Sequence, residues 1–326
     1  MPQHLISPST PIPISEPNGR IATVLGGRAD DPNWDRDVNQ KCSAAMEDAR
    51  QNCHLHPKAQ EHRRGSYSIL SSGYSHGGGQ THPCNMANST KNSKVVQGLN
   101  GMDCFQRVAR FASCESMPIA FSVGADQVAA VFQHWAPDLH SHYENTLQQL
   151  EDDDKALKRP FQGSAFPAVT YNLGPHTATI PHLDFANLPF GWCGITAFGD
   201  YDPTRGGHFV LSACRLVIEF PPGSTIFVPS SILEHYNVPI SPHERRYSFT
   251  QYASGSLFRW VDYGLRDTKS YRESMGTKAW KEVKEGMKRN FELGLKLLPQ
   301  LKISIHLGRA KIQHSFKLCS PLVNTA

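Results

Sequence analysis

The sequence has no CxxC pair. Its eight cysteines (Cys42, Cys53, Cys84, Cys104, Cys114, Cys193, Cys214 and Cys319) are scattered over 326 residues, which excludes a zinc ribbon and offers no secreted disulfide framework. Free thiols are expected. An apolar run of transmembrane length is missing too, and the opening MPQHLISPSTPIPISEPNGR is polar and proline-rich rather than basic then apolar; no membrane association is expected, and an intracellular location is. There is no P-loop, because Gly77, Gly78 and Gly79 are not followed by Gly-Lys-Ser/Thr, so they read as a flexible turn. Strand-like and helix-like segments do not alternate, which disfavours a parallel nucleotide-binding sheet. Charge is nearly balanced: 33 Lys and Arg face 29 Asp and Glu, for a net +4. That balance permits a polyanion partner without requiring one. The basic run after residue 265 and the cluster His62, Arg63, Arg64 read first as solvated faces. Cys42, Cys53, His54 and His56 are ligand types at uneven spacings, and read as chance.

What is present divides the chain unevenly. Residues 1–20 are expected to be a disordered leader, residues 21–300 a single domain, and residues 301–326 a tail without readable pattern. Within the domain, 21–160 reads as helix and loop. Trp34, Val38, Ala44 or Ala45 and Ala49 recur at near-helical intervals and predict a helix over about 33–53. Residues 63–100, rich in Gly, Ser, Asn and Thr, predict a long loop. Between 126 and 152 two helices meet at Pro137, with Val128, Val131, Phe132 and Trp135 on the first and Leu139, Tyr143, Leu147 and Leu150 on the second. From Phe166 the texture changes to short strand-like runs broken by Gly, Pro and Asp-Pro. The expectation is an α+β protein: a double-stranded β-helix (jelly-roll) barrel over 161–265, buttressed by helices and capped by a helix over 277–298.

Within the strand-like part, His182 and Asp184 lie two apart, so on a strand they point to one face. With sixteen histidines in the chain, a His-x-Asp pair is expected about once by chance, so the pair needs a third partner. His235 begins a later strand that, in a barrel, can face the first across the lumen. Two imidazoles and a carboxylate on one side of an ion form the facial triad of non-haem Fe(II) oxygenases, with open positions for co-substrate and O2. A 2-oxo acid chelating such an ion leaves its far carboxylate in need of a cation, for which arginine's planar fork is best suited. Arg246 opens RYSFTQYAS. Arg246, Ser248, Thr250, Tyr252 and Ser254 share one strand face and Tyr247, Phe249 and Gln251 the other, so Arg246 and Ser248 are the expected carboxylate grip. Arg245 falls on the opposite face, in solvent or paired with Glu244.

The order His182-x-Asp184, His235, Arg246-x-Ser248 resembles the iron and 2-oxoglutarate dioxygenases. The phrases HLDFANLPFGWCGITAFGDYDPTRGGHFVL, LVIEFPPGSTIFVPS and RRYSFTQYASGSLFRWVDYG resemble, more narrowly, the Tet/JBP-like oxygenase domains of fungal proteins, over residues 20 to about 300. The resemblance implies Fe(II) on His182, Asp184 and His235, 2-oxoglutarate on Arg246 and Ser248, and O2 as oxidant. It implies oxidation of the 5-methylcytosine methyl in DNA after the methylated base is flipped out, with Asn187 contacting that base and Tyr252 stacking on it. On the residues alone, Asn187 reads as a turn residue and Tyr252 as barrel filling. The arginine that the TET pattern carries between its two metal ligands is Leu183 here, and a histidine beyond the stacking aromatic is Ser254. A DNA substrate implies a nuclear location; no protein partner is predicted. Two alternatives stay open: the same cofactors acting on N6-methyladenine, RNA, protein or a small molecule, and an inactive barrel that binds DNA or protein.

Overall fold

The computed structural model describes residues 3–6, 11–55, 60–113 and 130–300, with backbone alone at 3–6 and at a few positions of the last helix. In chain order the strands are β1 (Gln3–Ile6), β2 (Ile12–Ser15), β3 (Ile21–Gly27), β4 (Glu61–His62), β5 (Gly65–Ser66), β6 (Ser68–Ser75), β7 (Cys84–Asn85), β8 (Ala168–Leu173), β9 (Cys193–Asp200), β10 (Phe209–Leu211), β11 (Leu216–Glu219), β12 (Thr225–Val228), β13 (His235–Asn237) and β14 (Arg245–Tyr252). The helices are α1 (Lys41–Asn52), entered through a π-helical turn at Asp35–Gln40, then α2 (Thr90–Gly101), α3 (Asp103–Ser113), α4 (Val131–Trp135), α5 (Pro137–Asp153), α6 (Gly255–Asp262) and α7 (Thr268–Leu295).

Two sheets face each other. The larger runs β2-β3-β12-β9-β14-β8-β6-β7 and the smaller β1-β11-β10-β13. A bridge from His182 to His235 adds the segment before β9 to the edge of the smaller sheet. From β8 onward the chain therefore passes back and forth between layers: β8 large, His182 small, β9 large, β10 and β11 small, β12 large, β13 small, β14 large. That winding is the jelly roll, and with its helices the chain is α+β.

The period-two alternation of the strands decides which side chains meet. On β8 and β14, Val169, Tyr171, Leu173, Tyr247 and Phe249 point outward into a core shared with Val38, Cys42 and Met46 at α1 and Phe105 and Val108 of α3. Phe105 is fully buried and meets Tyr171 edge-on at 5.0 Å and Phe249 at 5.5 Å. Burying such a ring is worth about 1.5–3 kcal/mol, so the helices lock the back of the sheet. The opposite faces look between the sheets. There Ile195, Ala197, Phe209, Leu211, Leu216, Ile218, Phe220, Ile226 and Val228 form a second apolar core. Asn172, Arg246, Ser248 and Thr250 are buried without joining it.

Two sequence expectations are corrected. Part of the stretch read as a disordered leader is strand: β1 pairs in parallel with β11, Gln3 opposite Leu216, and β2 pairs with β3. Both are added edges, whose order comes from a partner elsewhere in the chain. The stretch read as a long loop holds β6, paired with β8 from Ser68 to Gly73, and α2. Its serines look like loop composition, yet Ser68 is buried against the barrel and Ser89 caps α2 by accepting from the Asn92 backbone N–H at 3.3 Å. Those are the roles in which polar side chains replace hydrophobic pattern. Val128, Cys114, His56, Cys319 and the 301–326 tail lie outside the described residues. Helix α7 contains a non-helical residue, Gly276 (φ 75°, ψ 167°), which separates a first segment from the stretch after residue 277.

Gly199 sits opposite Arg246 in the β9–β14 ladder at φ 136°, where an added Cβ would lie 2.0 Å from the Arg245 carbonyl oxygen. Gly199→Ala is expected to lower stability by about 2–4 kcal/mol through backbone strain and displacement of β14, read as the shift in urea midpoint. A wild-type midpoint would contradict this register.

Candidate active site

The site is assembled by backbone pairing. The His182 N–H donates to the His235 carbonyl (3.2 Å) and the His235 N–H donates back (3.1 Å), while the Asp184 N–H donates to Ser230 (2.8 Å). The two histidines are thus side-by-side neighbours at a sheet edge, not partners facing across the lumen as the sequence suggested. Their rings lie 4.3 Å apart. Nε2 of His182 is 3.9 Å from Asp184 Oδ1, and Nε2 of His235 is 3.9 Å from Oδ2. One ligand atom from each residue lies within 4.8 Å of the others, and all three residues are buried.

Each imidazole is oriented from behind. Nδ1 of His182 contacts the Ile180 carbonyl, and Nδ1 of His235 the Leu233 carbonyl, both at 2.8 Å. A carbonyl can only accept, so Nδ1 carries the proton and each Nε2 lone pair is left for a cation. Burial, and then the neighbouring His235, pull the His182 pKa down to about 4, and burial lowers that of His235. Both rings are therefore neutral at pH 7, the form that ligates metal.

Asp184 is held by a group that the sequence reading placed on a solvated face. Arg63 donates from Nη2 to Asp184 Oδ1 (3.1 Å) and from Nη1 to the Leu183 carbonyl (2.7 Å), and Arg64 approaches the same oxygen at 3.8 Å. A guanidinium supports the carboxylate although Leu183 stands between the two ligands. It comes from the β4–β5 turn, far away in sequence, so no local motif signals it.

Deeper between the sheets, Arg246 is 1% exposed. Its Nη1 donates to the Thr177 carbonyl at 2.7 Å, and its Nε and Nη2 are buried with no partner. It lies 5.9 Å from the ring centres of Tyr201 and Phe220. Phe220 packs edge-on against Phe209, which stacks on His235, so one run of rings joins the guanidinium to the histidine pair. Ser248, on the same strand face, accepts from Asn172 Nδ2 at 3.0 Å. Tyr67 adds a buried hydroxyl without a partner, within electrostatic range of Arg64, Arg246 and Asp184, and burial pushes its pKa up to about 12. It too lies in the stretch read as loop; its only sequence signal is a tyrosine beside a short β-prone run.

Asn187 and Tyr252 are half-buried. Nδ2 of Asn187 donates to Cys193 Sγ (3.2 Å) and Ser230 Oγ (3.1 Å), and its N–H caps the turn at the Asp184 carbonyl. The Tyr252 hydroxyl accepts from Thr170 Oγ1 at 3.4 Å. Ser254, bridged to Asn187, donates to the His76 carbonyl (2.7 Å) and so fastens the start of the glycine-rich loop. Arg245 is exposed, and the Glu244 carboxylate instead accepts backbone N–H groups of Asp202 and Ser241, both at 2.7 Å. Cys42 is buried among apolar side chains. His182, Asp184 and His235 are the one cluster with metal-binding geometry among the described residues.

No family model and no curated protein matches the sequence. Among solved structures, the chain is similar to NgTET1 in complex with 5mC DNA, at 13% identity over 78% of this chain and 82% of that one, with a TM-score of 0.49. It is also similar to an oxidoreductase of the 2OG-Fe(II) oxygenase family from Burkholderia pseudomallei (15% identity, 64% of this chain, 77% of that one, TM-score 0.32). A third likeness is to a Pseudomonas putida prolyl-4-hydroxylase (14%, 58% and 94%, TM-score 0.24). At these values the likenesses do not assign a function, and the chemistry rests on the site's own atoms.

An unfolded histidine titrates near pH 6.5, whereas folded His182 does so at about 4. The unfolded chain therefore binds more protons between these values, and stability falls as pH falls through that window. The metal-free protein is expected to unfold at lower urea concentration at pH 5 than at pH 7, with a smaller difference in His182→Gln. Equal midpoints in wild type would contradict a buried neutral pair.

Proposed function

We propose that this chain is an Fe(II)- and 2-oxoglutarate-dependent dioxygenase that oxidises the methyl group of 5-methylcytosine in DNA. The observation that carries the cofactor reading is Arg246: a fully buried guanidinium with two unspent donors in the same interior as a His-Asp-His cluster. An unpaired buried charge is costly, and a carboxylate from the co-substrate would complete it through a bidentate contact. Two neutral imidazoles and one carboxylate suit a divalent iron and leave positions open.

The residues divide the work. His182, Asp184 and His235 would hold iron, with Arg63 fixing the Asp184 carboxylate through its Oδ1. Arg246, with Ser248 and Tyr67, would grip the far carboxylate of 2-oxoglutarate. Phe209, Phe220 and Tyr201 wall this end of the barrel with rings and keep water from the co-substrate. Bound iron with 2-oxoglutarate and O2 supplies the oxidising power for attack on a C–H bond, releasing succinate and carbon dioxide. The protein's part is to fix which C–H bond is presented.

The DNA reading draws on the likeness of the HLDFANLPFGWCG and RRYSFTQYAS phrases to Tet/JBP-like domains, a likeness in which Asn187 would contact and Tyr252 would stack on an extruded base. A nuclear location follows from that substrate. One observation favours a second reading: the Asn187 amide donor is spent on Cys193 and Ser230, which leaves base selection open and admits N6-methyladenine, RNA, protein or a small molecule as substrate of the same chemistry.

Methylated duplex treated with protein, Fe(II) and 2-oxoglutarate is expected to yield 5-hydroxymethylcytosine, read by mass spectrometry of its nucleosides, and none with His182→Ala. Arg246→Ala should raise the 2-oxoglutarate KM by about thirtyfold or more, the loss of about 2 kcal/mol expected when a buried charge pair is cut. Product formed without 2-oxoglutarate would reject the cofactor reading. Succinate release without any modified cytosine would reject the substrate.

A further inference from the structure

A cleft of about 280 Å3 opens beside the backbone that anchors Arg246. Its walls include Arg50 and Cys53 at the end of α1, Ser66 of β5, Tyr67, and Gly174 with Pro175 after β8. The last three also back the co-substrate anchor. The Arg246 N–H donates to the Pro175 carbonyl at 2.6 Å. A Cβ added to Gly174 would lie 2.3 Å from the Arg246 carbonyl oxygen, so the two backbones touch with nothing between them. Tyr67 lines the cleft, yet its buried, partnerless hydroxyl is within electrostatic range of Arg246. The partition between cleft and guanidinium is one residue thick, and of these three residues Tyr67 alone has a side chain that can swing aside.

The surface at the metal ligands has a different chemistry. Leu183 and Phe185, 38% and 72% exposed, flank Asp184, and Ile180, 54% exposed, precedes His182. The cleft instead offers hydroxyl, thiol and guanidinium groups, and no carboxylate lines it among the described residues. Arg50 spends Nε and Nη2 on Glu47, at 2.9 and 2.7 Å, and Nη1 on no described residue. A dicarboxylate gives up hydration against apolar side chains without return, whereas polar walls replace part of it. A cation without a neighbouring lining anion also raises the local concentration of a dianion.

The order of events sharpens the need for such an opening. A substrate presented to His182, Asp184 and His235 covers the apolar side, while the far carboxylate of 2-oxoglutarate, and then of succinate, lies at Arg246. Succinate is then left behind the substrate. Resting on the co-substrate reading above, we propose that this cleft is a second opening to the active site, gated by Tyr67, through which 2-oxoglutarate enters and succinate leaves. Substrate need not be released between turnovers.

The test is kinetic, because blocking a passage slows arrival and departure alike and leaves the binding equilibrium where it was. Binding of 2-oxoglutarate to the Fe(II)-loaded protein without O2 is followed by stopped-flow absorption in wild type, Ser66→Trp and Cys53→Trp. Both substitutions put an indole into the cleft from different walls, and Ser66 is exposed, so its replacement does not disturb the core. Each should lower the association and dissociation rates together by about tenfold, with the Kd held within about twofold. Wild-type rates in both variants would overturn the passage and leave the co-substrate reading standing. So would faster dissociation at an unchanged association rate, which marks a lost contact rather than a blocked path. Wild-type protein that binds iron and gives no signal with 2-oxoglutarate would overturn the co-substrate reading, and the passage with it.

Discussion

Two reciprocal hydrogen bonds between the backbones of His182 and His235 are what the site depends on. They join the strand-like run before β9 to β13, and because side chains on neighbouring strands stand close, they set two imidazoles side by side. Asp184 needs no further device, since two residues along an extended chain returns to the same face. The jelly roll is the scaffold that makes this pairing obligatory. β14 and β9 each bond along their length in the larger sheet, so the loops between sheets have few other places to close. Backbone carbonyls at Ile180 and Leu233 then orient the rings, and no side chain outside the immediate segment is needed to choose the tautomer.

The space between the sheets is graded. At one end, Leu216, Ile218, Ile226 and Val228 make a dry core; at the other, Arg246, Ser248, Asn172 and Tyr67 are buried with hydrogen-bonding capacity to spare. A folded chain that keeps unspent donors on a buried guanidinium forgoes stability locally, and the apolar packing of α1 and α3 on the back of β8 and β14 offsets it. Such a local breach of good packing is where function is expected.

Legibility followed the strength of local pattern. The two faces of β14 were readable because Arg246, Ser248 and Thr250 alternate strictly with Tyr247 and Phe249, and the His182-x-Asp184 pair because strand periodicity is two. The strand-rich texture after Phe166 conveyed the jelly roll. The His182–His235 adjacency was not readable, since register between distant strands leaves no trace in either one. Arg63 was read as part of a solvated face and Tyr67 was missed because they sit in a serine-rich stretch whose order comes from pairing with β8 and from burial against the barrel, not from its own hydrophobic alternation. β1 and β2 were missed for the same reason: an added edge strand is specified largely by the edge it joins.

The central claim is that the His-Asp-His cluster and Arg246 bind one metal-chelating keto acid together. Anaerobic titration of 2-oxoglutarate into the Fe(II)-loaded protein, followed by visible absorption, examines this without any nucleic acid. A charge-transfer band that grows with 2-oxoglutarate and saturates at one equivalent per chain is the outcome this architecture requires. Iron that binds without producing such a band would contradict it.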